Sequence, residues 1–147
     1  MKVFQASLEH LEELSELFDR YRVFYQASSD LEAAKKFLQE RFQKSDSMIF
    51  VASNDNGSLT GFTQLYPSFS SVSMKRVWIL NDLFVEKSHR QKGVAKSLIS
   101  MAESFARQTG AVRIILATQI SNTTAQYLYE SLGYIKDKDF YHYTLQL

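Results

Sequence analysis

Apolar residues recur every three or four positions in two stretches near the start of the chain. Between Leu8 and Tyr21 this spacing predicts an amphipathic helix that Ser7 caps and that ends near Tyr25. The letters SDLE at residues 29–32 have the spacing of a capping box and predict a second helix. Its buried face is predicted to consist of Leu31, Ala34, Phe37, Leu38 and Phe42. A short β-like run at residues 2–6 precedes both helices.

The apolar period then changes from helical to extended. The run SMIFVAS at residues 47–53, the turn NDNG at 54–57 and the run SLTGFTQLY at 58–66 predict a β-hairpin. A loop containing Pro67, the only proline, is expected next. Residues 74–85, MKRVWILNDLFV, are aromatic and β-branched and predict a long central strand.

The second half of the chain alternates between the two periods. A helix with Val94, Leu98, Met101 and Phe105 on one face is predicted to stop at Gly110, before a strand AVRIILAT that is buried on both faces. The run NTTAQYLYESLG at 122–133 predicts a capped helix that Gly133 closes, and FYHYTLQL at 140–147 predicts a final strand. A short strand at residues 134–136 is an additional candidate.

The predicted order is β-α-α-β-β-β-α-β-α-β. We expect an α/β (α+β) fold whose mixed sheet carries helices on both faces, with parallel strands around the helix at residues 91–108. The 147 residues, 45% of them hydrophobic, suit one domain spanning 1–147.

Composition narrows the functional classes. Seventeen basic against sixteen acidic residues give a net charge of +1, so we expect no nucleic-acid partner and no membrane partner. Cysteine is absent and the three histidines are scattered, so we expect no metal. No apolar run is long enough for a signal peptide or a membrane span, which makes a cytoplasmic location the expectation.

One local feature stands out against this neutral background. The basic turn RQKGVAK at residues 90–96 lies between the long strand and an amphipathic helix. Unpaired backbone N–H groups and the positive end of a helix meet there, which suits a phosphate group. Gly93 and the small Ala95 would let phosphate oxygens approach the backbone. The plainer explanation is a solvated surface turn with a glycine at positive φ.

Two familiar phosphate-binding motifs do not fit this turn. In the nucleoside-triphosphate loop pattern, Arg90 and Ala95 occupy the two glycine positions. The dinucleotide pattern has one of its three glycines. What remains is R-x-x-G-x-A after a strand that ends in LFV.

That pattern resembles the pyrophosphate loop of the GNAT superfamily of N-acetyltransferases, [QR]-x-x-G-x-[GA]. A second stretch, NTTAQYLYESLGY, is similar to the family helix N-x-x-A-x-x-x-Y-x-x-x-G-[FY], with Asn122 and Tyr129 at matching positions. The resemblance covers nearly the whole chain and implies a GNAT-like sheet that is splayed at its centre.

The resemblance implies a cofactor site for acetyl-CoA, the acetyl donor. The residues it places at the cofactor are Leu83, Phe84, Val85, Arg90, Gln91, Lys92, Gly93, Val94, Ala95, Lys96 and Asn122. The strand end would hold the pantetheine arm and the turn would hold the pyrophosphate. An ordinary N-cap explains Asn122 as well.

Two further residues carry implied catalytic roles. Tyr129, two helical turns after Asn122, is the candidate to protonate the leaving thiolate, although a core aromatic residue explains it too. Asp82 is the candidate base, directly or through water, or an anchor for a cationic substrate; a solvent-paired acid is the alternative.

The strand also resembles the diamine acetyltransferase branch, which has two successive acids where this chain has Asn81 and Asp82. Asn81 therefore leaves polyamine specificity and the identity of the base open. Phe24, Tyr25, Tyr66 and Asn81 are weaker candidates for contact with the substrate, and helix packing explains the first two.

The function expected from these residues is acetyl-CoA-dependent transfer of acetyl to a primary amine, on a small molecule or a protein, by direct attack on the thioester. The alternative is a CoA-binding regulatory module without catalysis. The aromatic final strand is also a candidate for pairing across a homodimer.

Overall fold

The computed structural model describes residues 1–147. The helices are α1 (Leu11–Phe24), α2 (Leu31–Lys44), α3 (Val94–Gln108) and α4 (Thr123–Ser131). The strands are β1 (Lys2–Gln5), β2 (Met48–Ser53), β3 (Leu59–Ser70), β4 (Lys75–Val85) and β5 (Arg113–Ile115). The chain divides into two compact units, residues 1–116 and 117–147, which are described separately. None of the four helices has the length and apolar content needed to cross a membrane.

The five strands form one mixed sheet in the unit 1–116. Their order is β1-β2-β3-β4-β5. The pairs β1–β2, β2–β3 and β3–β4 are antiparallel, and β5 is parallel to β4. The predicted mixed α+β architecture is confirmed, and so is the predicted order of elements as far as α4. The predicted turn at residues 54–57 joins β2 to β3, with the Asn54 side chain accepting N–H bonds from Asn56 and Ser58 at 3.0 Å.

Helices cover both faces of this sheet, as predicted. Phe62 of β3 packs its ring against Phe18 and Tyr21 of α1, whereas Phe50 of β2 packs against Phe105 of α3. Because successive strand residues point to opposite faces, α1 and α3 lie on opposite sides of the sheet. The core on the α1 side also includes α2 through the buried Ala34 and Leu38.

Both N-terminal helices begin later than their sequence patterns predict. Ser7 precedes a single 3₁₀ turn at Leu8–His10, and α1 begins only at Leu11. The cap of α2 is Asp30, whose carboxylate accepts the Ala33 N–H at 3.1 Å, because the Ser29 hydroxyl is engaged with Asp19. Leu8 therefore lies outside α1, and Leu31 is the first residue of α2. The sequence pattern predicts both to be buried, but in the structure each is about half exposed.

Pro67 lies inside β3, and the prediction that it sits in a loop is wrong. It pairs opposite Trp78, while the ladder between β2 and β3 has already ended at Leu65. The side of β3 facing β2 needs no N–H at this position, so a proline is tolerated there. The hairpin of β3 and β4 is consequently longer than predicted.

The last two predicted strands differ from the structure. β5 has only three residues, and Ile115 is 45% exposed, so this strand is not buried on both faces. Residues 134–136 and 140–147 form no strand. The Asp137 carboxylate accepts the N–H groups of Asp139 and Phe140 and makes a local turn. An alternating pattern describes a strand only where a neighbouring strand completes its ladder.

Candidate active site

Helix α3 begins without a side-chain cap. Its N-cap is Gly93, whereas Asp30 caps α2 and Asn122 caps α4 with side-chain oxygens. The first intrahelical bond runs from Ser97 N–H to Gly93 O at 3.0 Å. The N–H groups of the first three helical residues, 94–96, therefore have no partner within the helix and face outward at its positive end.

The basic turn in front of α3 is held in a conformation that leaves this helix end open. Gln91 and Gly93 both have positive φ, at 62° and 81°. A Cβ added at Gly93 would meet no protein atom within 4 Å, so the space beside it is open. Lys92 and Lys96 are exposed on either side. This arrangement of free N–H groups and positive charge fits a phosphate group.

Close packing against β3 fixes where α3 begins. A Cβ at Gly61 would lie 2.8 Å from Phe84 O and 3.3 Å from side-chain carbons of Val94 and Leu98. Only a glycine allows the first turn of α3 to approach the sheet this closely. The open helix end is thereby held beside the end of β4.

The second half of β4 has an unpaired edge. β5 pairs with β4 only at Val77–Ile79, so no strand lies beside residues 80–85 on that side. Glu86 N–H bonds to Thr60 O, and backbone groups of an antiparallel ladder alternate in direction. The backbone groups of Leu83 and Val85 therefore point away from β3 toward the unpaired edge. This is the sheet opening that the predicted splay requires.

The Arg90 side chain folds back onto this strand end. Its Nε donates a hydrogen bond to Val85 O at 2.9 Å. The guanidinium carbon lies 5.4 Å from the ring centre of Phe24 and 5.5 Å from that of Phe84. Arg90 thus connects the turn, the strand edge and the end of α1.

A β-bulge in β4 determines which way Asp82 faces. Gln64 pairs with Asp82 while the next residue of β3, Leu65, pairs with Leu80, so Asn81 is an extra residue in β4. Asp82 therefore faces α1 together with Phe84, whereas Leu80 faces α3. The Asn81 amide donates to Asp82 Oδ1 at 3.1 Å. Asn81 thus supports the neighbouring carboxylate.

Polar side chains surround Asp82 on the α1 side of the sheet. Asp82 is only 5% exposed, and Gln64 Nε2 donates to its Oδ2 at 2.9 Å. Gln64 Nε2 also lies 3.1 Å from the Tyr66 hydroxyl. Burial, and then the negative charge of Asp82, raises the pKa of Tyr66 to about 12. The same two causes raise the pKa of Tyr21 above its usual value.

Aromatic rings form a partly exposed wall next to this cluster. Tyr21 makes edge contacts with Tyr25 and Phe84, and Phe24 makes one with Tyr25. Phe24 and Tyr25 are 49% and 39% exposed, so packing accounts for only part of their surfaces. The unit 1–116 thus brings together Asp82, Tyr66 and the predicted residues of the strand end and the turn.

Asn122 and Tyr129 lie in the other unit, residues 117–147. The Asn122 carboxamide accepts the Ala125 N–H at 3.1 Å, as expected of an N-cap. The ring centres of Tyr129 and Tyr134 are 6.0 Å apart, and Tyr134 N–H donates to Tyr129 O at 3.0 Å. Gly133, with φ at 93°, ends this helix as predicted.

Sequence reasoning missed Gln64 and Tyr21. A signal for Gln64 exists in GFTQLY, where a glutamine occupies an inward position of a predicted strand. Such a residue needs a buried polar partner, and across the ladder that partner is Asp82. Tyr21 is indistinguishable by spacing from the apolar residues of its helix.

The acetyltransferase (GNAT) family model matches residues 11–134, which is most of the chain. The chain belongs to the GNAT family. It is an acetyltransferase of the GNAT type, and its mixed sheet with an unpaired strand edge and an uncapped following helix is the GNAT fold. Cysteine residues and metal-ligand clusters are both absent from this GNAT protein.

Individual relatives agree with the family match. The uncharacterized N-acetyltransferase YhfO of Bacillus subtilis (strain 168) is 46% identical over 147 residues, covering 100% of this GNAT chain and 98% of the relative. The crystal structure of a probable acetyltransferase has a TM-score of 0.95 at 47% identity, covering 100% and 98% of the two chains. Aminoglycoside N-acetyltransferase AAC(6')-Iy in complex with CoA shares the fold, with a TM-score of 0.82 at 24% identity over 99% and 95% of the chains.

Proposed function

We propose that this GNAT protein transfers an acetyl group from acetyl-CoA to a primary amine of a small molecule or a protein. The observation that carries the proposal is the unpaired edge of β4 leading directly into the uncapped N-terminus of α3. An amide-bearing arm needs a row of free backbone groups, and a pyrophosphate needs free N–H groups with positive charge. The two occur here within residues 83–96.

The residues present suit each part of acetyl-CoA. Leu83 and the N–H of Val85 offer backbone groups to the pantetheine arm, while the Val85 carbonyl oxygen is bonded to Arg90. The N–H groups of residues 91–96 hold the pyrophosphate with Lys92 and Lys96 beside it. When bound, acetyl-CoA supplies a thioester carbonyl carbon that accepts the amine nitrogen. The family match extends into both units, which supports treating residues 1–147 as one acetyltransferase domain.

Two side chains handle the protons of this reaction. Asp82 takes the proton that the amine gives up as the new N–C bond forms, so one N–H bond breaks and one O–H bond forms. Its burial and the two hydrogen bonds that its carboxylate accepts, from Gln64 and Asn81, favour this role over that of a surface acid. Tyr129 gives its hydroxyl proton to the thiolate that leaves when the C–S bond breaks. This role for Tyr129 is supported by the position of the residue in the helix pattern of the GNAT family.

A screen of primary amines tests this function. The protein is incubated with acetyl-CoA and polyamines, amino sugars, amino acids and short peptides, and both free CoA thiol and acetylated products are measured. We expect a product heavier by one acetyl group, formed together with free thiol. Acetyl-CoA binding without a product from any amine would support the CoA-binding module instead.

A further inference from the structure

Gln64 is a fully buried glutamine that faces Asp82 across the β3–β4 ladder. It is 0% exposed and pairs with Asp82 directly before the bulge at Asn81. Its neighbours on the same side of β3 are the apolar Phe62 and the half-buried Tyr66. A glutamine at such a position requires a polar partner, since burial removes its hydrogen bonds to water.

The Gln64 amide uses both of its N–H donors within this cluster. Nε2 lies 2.9 Å from Asp82 Oδ2 and 3.1 Å from the Tyr66 hydroxyl. Its Oε1 is buried and has no hydrogen-bond partner. In this orientation the Gln64 Oε1 is left without a hydrogen bond, while both Nε2 hydrogens are bonded to the Asp82 carboxylate and the Tyr66 hydroxyl.

The carboxylate dictates this orientation. Turning the amide over would satisfy Oε1 with the Tyr66 hydroxyl, but would place it against Asp82 Oδ2, with two acceptors facing each other. The Asn81 amide donates to the other carboxylate oxygen at 3.1 Å. With a donor on each oxygen, the Asp82 carboxylate is held in one orientation.

We propose that Gln64 is a positioning residue for acetyl transfer, which holds the Asp82 carboxylate in the orientation that receives the amine proton. This inference rests on the proposed function of Asp82. Gln64 itself exchanges no proton and acts only through Asp82. Its contribution is the single N–H bond to Oδ2, and losing that bond makes the ionised form of Asp82 less stable.

The test compares Gln64→Leu, Gln64→Glu and the control Thr60→Val. Leucine removes the donor, whereas glutamate keeps the length and places a second carboxylate next to Asp82. Thr60 is equally buried on β3, and its hydroxyl bonds to Ala52 O at 3.3 Å, away from Asp82. Carbon-detected NMR follows the Asp82 carboxyl as pH changes, with Asp82→Asn identifying the signal.

We expect the Asp82 titration midpoint to rise by about one pH unit in Gln64→Leu, and further in Gln64→Glu, with Thr60→Val unchanged. With an acceptor amine, kcat of Gln64→Leu should fall about tenfold while KM for acetyl-CoA stays the same. If Gln64→Leu does not fold, Gln64→Met replaces it with the same expected midpoint.

An unchanged midpoint in the donor-less variants overturns the inference, and so does an equal shift in Thr60→Val. A glutamate variant that behaves like the wild type would also overturn it, because shape alone would then suffice. The titration needs no substrate, so it tests Gln64 even if the amine screen yields no product. Failure of that screen counts against the proposed function alone.

Discussion

Arg90 donates a hydrogen bond from Nε to the carbonyl oxygen of Val85 at 2.9 Å. The bond ties the basic turn to the last residue of β4, and the guanidinium also lies against Phe24 and Phe84. The Arg90 side chain therefore adds to the packing at Gly61 in holding the strand edge beside the open helix end. A ligand that follows the edge and ends at the turn would meet both parts in a fixed arrangement.

Replacing Arg90 with alanine should weaken acetyl-CoA binding about tenfold, because a positive charge and the hold on the turn are lost together. Calorimetric titration with acetyl-CoA measures this. The matched control is Arg107→Ala, at the opposite end of α3, which should bind as the wild type does. Tighter binding by Arg90→Ala would contradict the assignment and mean that the Val85 carbonyl must be free for the ligand.

Gly93→Ala should weaken acetyl-CoA binding about tenfold, although a Cβ there meets no protein atom within 4 Å. The added methyl group would occupy space that the pyrophosphate needs. Both Gly93 and Gly110 have positive φ, at 81° and 76°, so alanine at either costs about 1 kcal/mol of unfolding free energy. Denaturant unfolding and titration are compared for the two variants. Equal binding by both would show that no ligand approaches Gly93.

Tyr129→Phe should lower kcat at least tenfold and leave acetyl-CoA affinity unchanged, because only the hydroxyl proton is removed. The control is Tyr127→Phe, two residues earlier in α4, where the side chain is 79% exposed. Steady-state rates and calorimetry are measured for both variants. Full turnover by Tyr129→Phe would remove this residue from the mechanism.

Tyr66 should make the protein less stable at high pH. Its pKa is about 12 in the folded chain and near 10 when unfolded, so unfolding releases a proton between these values. Stability is unaffected by this group below pH 10 and falls as pH rises toward 12, by at most about 1.4 kcal/mol per pH unit. Tyr66→Phe should lose less stability over this window in denaturant titrations. Parallel losses in both proteins would show that Tyr66 ionises equally in both states.

Local signals predicted the turn and the helix that follows it. Gly93, the uncapped start of α3 and the strand before it are consecutive in the chain, so their roles depend on few distant contacts. The side of the sheet to which the Asp82 side chain points depends instead on the bulge at Asn81. That bulge exists only in the pairing of β3 with β4. Gln64 became visible as a partner of Asp82 only through that pairing.

The end of the chain shows the opposite limit. The alternating aromatic residues at 140–147 are typical of a strand, yet no strand forms there. An alternating pattern predicts which side chains would share a face of a strand. It does not provide the neighbouring strand whose backbone hydrogen bonds a ladder needs. Pro67 is the converse case. This residue type usually interrupts strands, but here it pairs with Trp78 of β4 at a position where β3 has no partner on the side facing β2.

The central claim is that the edge of β4 and the start of α3 form an acetyl-CoA site. Calorimetric titration of the wild-type protein with acetyl-CoA, beside ATP and NAD at the same concentrations, tests it most directly. We predict saturable binding of acetyl-CoA at one site per chain, with much weaker binding of ATP and NAD. Binding of ATP or NAD with no binding of acetyl-CoA would contradict the claim.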